Sequence, residues 1–125
     1  MSDPVIKQYV QGELTLELSR GRAELRLAWR GKSADREPGR FLMPVLAEAM
    51  EQARAEGVAL ALDFTGLDYM NSSTFTPVVK ALDESRRLAV PVVLEYSLSR
   101  KWQALSFSAL RTFETLDGRI KVRGK

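Results

Sequence analysis

The 125-residue chain contains neither cysteine nor histidine. Without cysteine it has no disulfides, no iron–sulfur ligands and no thiol nucleophile, so nothing indicates an oxidising compartment. Without histidine it lacks the usual catalytic base, and the two absences together remove the ligands of nearly all zinc and copper sites. We therefore expect a protein that is not an enzyme and that needs no cofactor or metal ion.

Long apolar runs are also absent. No stretch approaches the roughly 18 apolar residues that span a bilayer, and the first ten residues, MSDPVIKQYV, lack the pattern of a signal peptide. We expect a cytoplasmic protein with no membrane partner. Hydrophobic residues at 45% and charged residues at 28% are typical of a globular protein, and the length suits a single domain spanning residues 1–125.

Basic residues are in small excess over acidic residues. Nineteen Lys and Arg against sixteen Asp and Glu give a net charge of +3, which does not require nucleic acid as a partner. Seven bases lie between Arg20 and Arg40, but Glu24, Asp35 and Glu37 are mixed with them. A solvated surface is the preferred interpretation of this segment, and nucleic-acid binding is the alternative.

Apolar periodicity predicts the N-terminal elements. Alternating residues indicate strands over 5–10, 14–18 and 23–30, with the first two forming a hairpin. A polar loop at 31–39 separates them from an amphipathic helix at 41–55.

The pattern of apolar residues in the C-terminal part of the chain predicts two buried strands, two helices and an edge strand. Apolar runs at 60–64 and 90–96 are typical of central strands, and the helix between them implies that they are parallel. A further helix follows, with Ser99 as a candidate N-cap, and an edge strand covers 119–125. The predicted buried stripe of that helix is Trp102, Leu105, Ala109, Leu110 and Phe113. Trp102 and Gln103 are alternatively partner contacts. The fold class is α/β, a mixed β-sheet with helices packed against it.

A group of small polar residues, Asn71 to Thr74, precedes the helical pattern that begins at Phe75. Pro77 has no N–H and its ring would clash with the carbonyl of Ser73, so Ser73 lies at or just before the helix cap. A helix N-terminus favours an anion, including a phosphate attached to a serine. Alternatively, Ser72 or Ser73 merely caps the helix. Asp63 lies at the end of the preceding strand. Its carboxylate is expected to accept hydrogen bonds from loop amides and so to hold the 71–74 loop in place.

The stretch from Leu60 to Leu82 also carries a family resemblance. An apolar strand ending in Asp-Phe, then Leu-Asp-Tyr-Met, then Asn-Ser-Ser at a helix start resembles the STAS domain of bacterial anti-sigma factor antagonists and sulfate transporter tails. In antagonists the motif is Asp-Ser-Ser-Gly, and a partner kinase phosphorylates its second serine. Ser72 and Ser73 match the two serines, whereas Asn71 replaces Asp and Thr74 replaces Gly. The resemblance implies a STAS-like fold with Ser73 as the candidate phosphorylation site.

The resemblance also implies a function. The chain would be a regulatory protein–protein interaction domain, whose partner is an anti-sigma-type switch kinase or a related regulator. The residues predicted to contact the partner are Asp68, Asn71, Ser72, Thr74 and Phe75. Two alternatives remain open: a constitutive scaffold without phosphorylation, and a nucleic-acid-binding protein.

Overall fold

The computed structural model describes residues 4–125, which form seven strands, three α-helices and two short 3-10 segments. The elements follow in this order: β1 (Val5–Gln11), β2 (Leu14–Arg20), β3 (Glu24–Ser33), α1 (Gly39–Glu56), β4 (Ala59–Asp63), β5 (Leu67–Met70), the 3-10 turn Ser72–Thr74, α2 (Phe75–Leu88), β6 (Val92–Tyr96), α3 (Lys101–Ser108), the 3-10 segment Ala109–Phe113 and β7 (Ile120–Gly124).

The strands form one mixed sheet in the order β1-β2-β3-β4-β6-β7. β1, β2 and β3 pair in antiparallel fashion, whereas β3, β4, β6 and β7 run parallel to one another. The short β5 lies beside the last residues of β3, beyond the part of β3 that pairs with β4. The predicted mixed sheet, N-terminal hairpin, parallel central pair and C-terminal edge strand are all confirmed.

One face of the sheet forms the core. Leu60 pairs between Leu25 and Val92, and Leu62, two residues further along β4, pairs between Leu27 and Leu94. These side chains are almost fully buried against the apolar sides of the helices, in a single hydrophobic cluster. Because side chains alternate along a strand, the other face carries the polar residues, among them Arg26 and Glu95. The helices thus cover one face and leave the other without a layer.

Two predicted boundaries are wrong because pairing extends the strands. The predicted loop at 31–39 begins with three residues of β3, and the predicted Leu-Asp-Tyr-Met loop is β5, which pairs with those residues. Gly31 makes the extension possible. Its φ is +85°, and a Cβ atom there would lie 1.8 Å from the carbonyl oxygen of Glu13.

The last helix also differs from its prediction. α3 ends at Ser108 and continues as a 3-10 segment, and Leu105 within α3 faces outward with 79% of its surface exposed. Phe107 is buried instead. Ser99 is not the N-cap, since Arg100 holds that position and the Ser99 hydroxyl lies 2.8 Å from that of Ser97.

Candidate functional site

The Asn-Ser-Ser-Thr segment forms a capped turn directly before α2. The Asn71 Oδ1 atom accepts the Thr74 N–H at 3.1 Å and the Thr74 hydroxyl at 2.7 Å. Asn71 therefore caps the 3-10 turn Ser72–Thr74, and Thr74 holds the N-cap position of α2 without a side-chain capping bond. The expectation that Ser72 or Ser73 supplies the cap is wrong. The prediction that Ser73 lies just before the helix is confirmed, since α2 begins at Phe75.

The same turn is fastened to the end of β3. The Asn71 side-chain amide donates to the carbonyl of Asp35 at 2.7 Å, and its backbone N–H donates to Ser33 at 2.9 Å. The hydroxyls of Ser33 and Thr74 lie 2.7 Å apart, and both residues are buried. The turn is thus held in one conformation. Thr74 is 0% exposed, so its predicted role as a partner contact is wrong.

The two serines of the turn face solvent. Ser72 and Ser73 are exposed, and their hydroxyls make no side-chain hydrogen bond within residues 4–125. Both lie at the N-terminal end of α2, where the helix dipole favours negative charge. Phe75, the next predicted contact, is half-buried with its ring centroid 5.6 Å from that of Phe107.

Asp63 supports a different loop from the one expected. Its carboxylate accepts the N–H of Thr65 at 3.0 Å and the Thr65 hydroxyl at 2.6 Å. It also pairs with Arg26 at 3.0 Å. The predicted bond to the 71–74 loop is therefore wrong, because the carboxylate reaches the turn that immediately follows its own strand.

β5 adds two exposed side chains next to the serine turn. Asp68 pairs with Arg100 at 2.9 Å, across to the start of α3, and Tyr69 is 49% exposed. We call Asp68, Tyr69, Ser72 and Ser73 the Ser73 surface. The sequence did not indicate that Tyr69 belongs to this surface, because its position depends on the pairing of β5 with β3.

Gln103 connects the loops at this edge of the sheet. Its side-chain amide donates to the carbonyls of Phe64 at 2.7 Å and Leu67 at 2.8 Å, and its oxygen accepts the Ser97 N–H at 2.7 Å. The residue is 0% exposed. The alternative interpretation of Gln103 as a partner contact is therefore wrong. The residue is an internal brace for the β4–β5 and β6–α3 connections.

An ionic network crosses the uncovered face of the sheet. Arg26 contacts Glu24, Asp63 and Glu95, and Lys125 contacts Glu95 at 2.7 Å. Burial acts to raise the pKa of Glu95, but the hydrogen bonds from Arg26 and Lys125 outweigh it and hold that pKa below its usual value. The carboxylate stays ionised although only 7% of its side chain is exposed.

Neither a metal centre nor a membrane span is present in the part of the chain that the structure describes. Residues 4–125 contain no group of three or more acidic side chains placed to hold a metal ion, and none of their helices is long and apolar enough to cross a bilayer. A groove of about 450 Å³ lies between α1 and α2, with Met43, Met50 and Ala81 among its lining residues.

Comparison with known proteins identifies the fold. No family model and no curated protein sequence matches the chain. SiaC of Pseudomonas aeruginosa is similar over 100% of both chains, with a TM-score of 0.59 and 21% identity. SiaC in the crystal structure of the diguanylate cyclase SiaD with "its activator SiaC" matches 95% of this chain and 99% of that one, with a TM-score of 0.59 and 19% identity.

An anti-sigma factor antagonist from Mycobacterium paratuberculosis is also similar, over 85% of this chain and 90% of that one, with a TM-score of 0.55 and 14% identity. At sequence identities of 14–21%, structural similarity to these proteins establishes the fold alone. The chain has the STAS-like α/β fold of an anti-sigma factor antagonist, as the resemblance of residues 60–82 predicted.

Proposed function

We propose that the chain is a non-catalytic, cytoplasmic regulatory module that binds a protein partner through the Ser73 surface. The observation that carries the proposal is the rigid, exposed turn, in which Asn71 and Thr74 fix the backbone while Ser72 and Ser73 face outward. A preformed surface loses little conformational entropy on binding. The names of the structural neighbours support the proposal, because an activator of a cyclase and an anti-sigma factor antagonist both act on another protein.

The proposed partner is an anti-sigma-type switch kinase or a related signalling regulator, and Ser73 is its proposed phosphorylation site. A phosphate on Ser73 would add nearly two negative charges at the N-terminal end of α2, where the helix dipole stabilises them. The same charges would face a partner docked on the Ser73 surface, so phosphorylation would weaken the complex.

A constitutive scaffold is the second candidate. Asn71 and Thr74 complete the hydrogen bonds of the turn without any phosphate, so the surface is already ordered in the unmodified chain. In that case the partner would bind equally well before and after treatment with a kinase.

Intact mass spectrometry of the protein from its native cells separates the two candidates. The phosphoswitch predicts one phosphate on the natural chain and on Ser72→Ala, and none on Ser73→Ala. Ser72→Ala is a matched control, because the two serines are adjacent and both exposed. Absence of phosphate from all three proteins under every growth condition would favour the scaffold.

Partner binding is tested by placing an arginine in the surface. Ser73→Arg should weaken the complex with a co-purified partner by about tenfold or more, because it fills the centre of the contact. Ala55→Arg adds the same side chain at an exposed position near the end of α1 and should have no effect. If both variants keep every partner of the natural chain, the Ser73 surface is not the binding site.

A further inference from the structure

The charges of the chain are separated along the sheet. Residues 86–125 contain nine Lys and Arg against three Asp and Glu, whereas residues 1–85 contain ten against thirteen. The C-terminal residues form the end of α2, β6, α3 and β7, and β7 is the last strand of the sheet. We call this part of the molecule the basic end. Of the seven bases between Arg20 and Arg40, four pair with acidic groups: Arg20, Arg26, Arg30 and Arg40.

Several bases of the basic end are available to a partner. Among the described residues, five have no acidic group within 4.0 Å: Arg86, Lys101, Arg111, Lys121 and Arg123. Ile120 and Val122 of β7 are buried, so Lys121 and Arg123 lie together on the uncovered face of the sheet. Residues two apart on a strand are roughly 7 Å from each other. The result is a short row of positive charge on an edge strand.

Three exposed leucines lie in segments next to the same strand, and two of them, Leu98 and Leu105, are on the helix-covered side of the sheet. Leu98 is 59% exposed and lies over the end of β7, where a Cβ on Gly124 would be 2.6 Å from its Cδ2 atom. Leu116 is fully exposed in the loop that precedes β7, and Leu105 projects from α3, which packs against β7. Leu105 and Leu116 are the two most exposed large apolar residues of the described chain.

We propose that the basic end is a peripheral docking surface that meets an anionic lipid bilayer edge-on at β7, with Lys121 and Arg123 on one side of the strand and the leucines on the other. Its bases would contact acidic head groups and its leucines would enter the interface, a combination that needs no spanning segment. Charges on an edge strand that only prevent aggregation would account for Lys121 and Arg123, but not for the leucines, for Lys101 of α3 or for Arg111 of the 3-10 segment that follows it.

The apolar residues also separate a bilayer from other acidic partners. Single-stranded nucleic acid stacks on exposed aromatic rings, and here Tyr96 and Phe107 are buried and Trp102 is half-buried. A protein interface is built around a packed central cluster, whereas these leucines project separately from two loops and a helix. Side chains that stand apart can all enter a fluid bilayer.

Sedimentation with phosphatidylcholine vesicles, prepared with and without phosphatidylglycerol, tests the proposal. The natural chain should bind only the anionic vesicles, and binding should weaken as NaCl is raised. Lys121→Ser combined with Arg123→Ser should lower the affinity by roughly tenfold or more. Leu105→Ser should lower it without changing its salt dependence, because that substitution removes no charge.

The matched control is Arg22→Ser combined with Lys32→Ser, two exposed bases outside the basic end that also lack an acidic group within 4.0 Å among residues 4–125. Unchanged urea midpoints establish that all variants are folded. The proposal is overturned if anionic vesicles are not bound, if the control pair weakens binding as much as the β7 pair, or if Leu105→Ser binds as tightly as the natural chain. It is also overturned if single-stranded DNA or polyglutamate binds more tightly than the vesicles and displaces them.

Discussion

At the scale of a single residue, Gly31 shows how backbone geometry determines which side chain is allowed. It occupies a conformation with φ of +85° in β3, with the carbonyl oxygen of Glu13 where a Cβ atom would lie. Gly31→Ala should therefore destabilise the protein by roughly 2–5 kcal/mol, the combined effect of a left-handed conformation and a steric clash. The free energy of unfolding in urea measures it.

Gly12 provides the control for that substitution. Its φ is +57°, and no atom lies within 4 Å of the position of a Cβ. Gly12→Ala should cost only about 1 kcal/mol, since the conformational penalty is present without a clash. Equal losses for the two variants would mean that the contact with Glu13 has no energetic effect.

At the scale of an element, the buried side-chain amide of Gln103 connects α3 to the two neighbouring loops. Gln103→Leu would leave the carbonyls of Phe64 and Leu67 and the N–H of Ser97 without their partner. Each unsatisfied buried group costs about 1–3 kcal/mol, so we expect a loss of roughly 2–5 kcal/mol after partial relaxation. The amide of Ser97 should also exchange with solvent faster, which hydrogen exchange followed by NMR measures.

Gln52→Leu is the comparison for Gln103. Gln52 is half-buried on α1, and its side chain donates to Glu56 in the next turn. Its replacement should change stability by less than about 0.5 kcal/mol. If Ser97 exchanges at the natural rate in Gln103→Leu, the amide is not the brace between α3 and the loops.

At the scale of the whole molecule, the ionic network connects the parallel strands β3, β4 and β6 with Lys125. The pKa of Glu95 is lowered in the folded protein, so its stabilising effect is complete above the unfolded pKa of about 4.3 and disappears as pH falls through the folded value. Glu95→Gln should be less stable than the natural chain by about 1–3 kcal/mol at neutral pH. The difference should shrink as the solution is acidified, which urea unfolding across a pH series measures.

Glu114→Gln is the control in that series. Glu114 is exposed and has no basic group within 4.0 Å among residues 4–125, so its neutralisation tests charge removal alone. A constant gap between Glu95→Gln and the natural chain at every pH would contradict a role for the ionised carboxylate.

Features that depend on local sequence pattern could be predicted, and features that depend on contacts between distant residues could not. Apolar alternation and the 60–82 motif were sufficient for the sheet, the order of most elements and the position of Ser73, because these depend on local pattern. β5 could not be predicted, because four residues form a strand only when the end of β3 is beside them. The bond from Asn71 to Asp35 and the bracing role of Gln103 could not be predicted either, because they depend on groups distant in sequence. The cap formed by Asn71 is a local bond to Thr74, and the preference for Asn at caps was a signal for it.

The separation of charge along the sheet has an electrical consequence. A molecule with an excess of bases at one end and of acids in the remainder carries a dipole moment, so its behaviour in a field is not described by its net charge of +3. Near its isoelectric point of about 9.4 the net charge vanishes, yet β7 and its surroundings remain positive. Any charged surface therefore meets this protein in a preferred orientation, with the edge strand turned towards anions before the first contact is made.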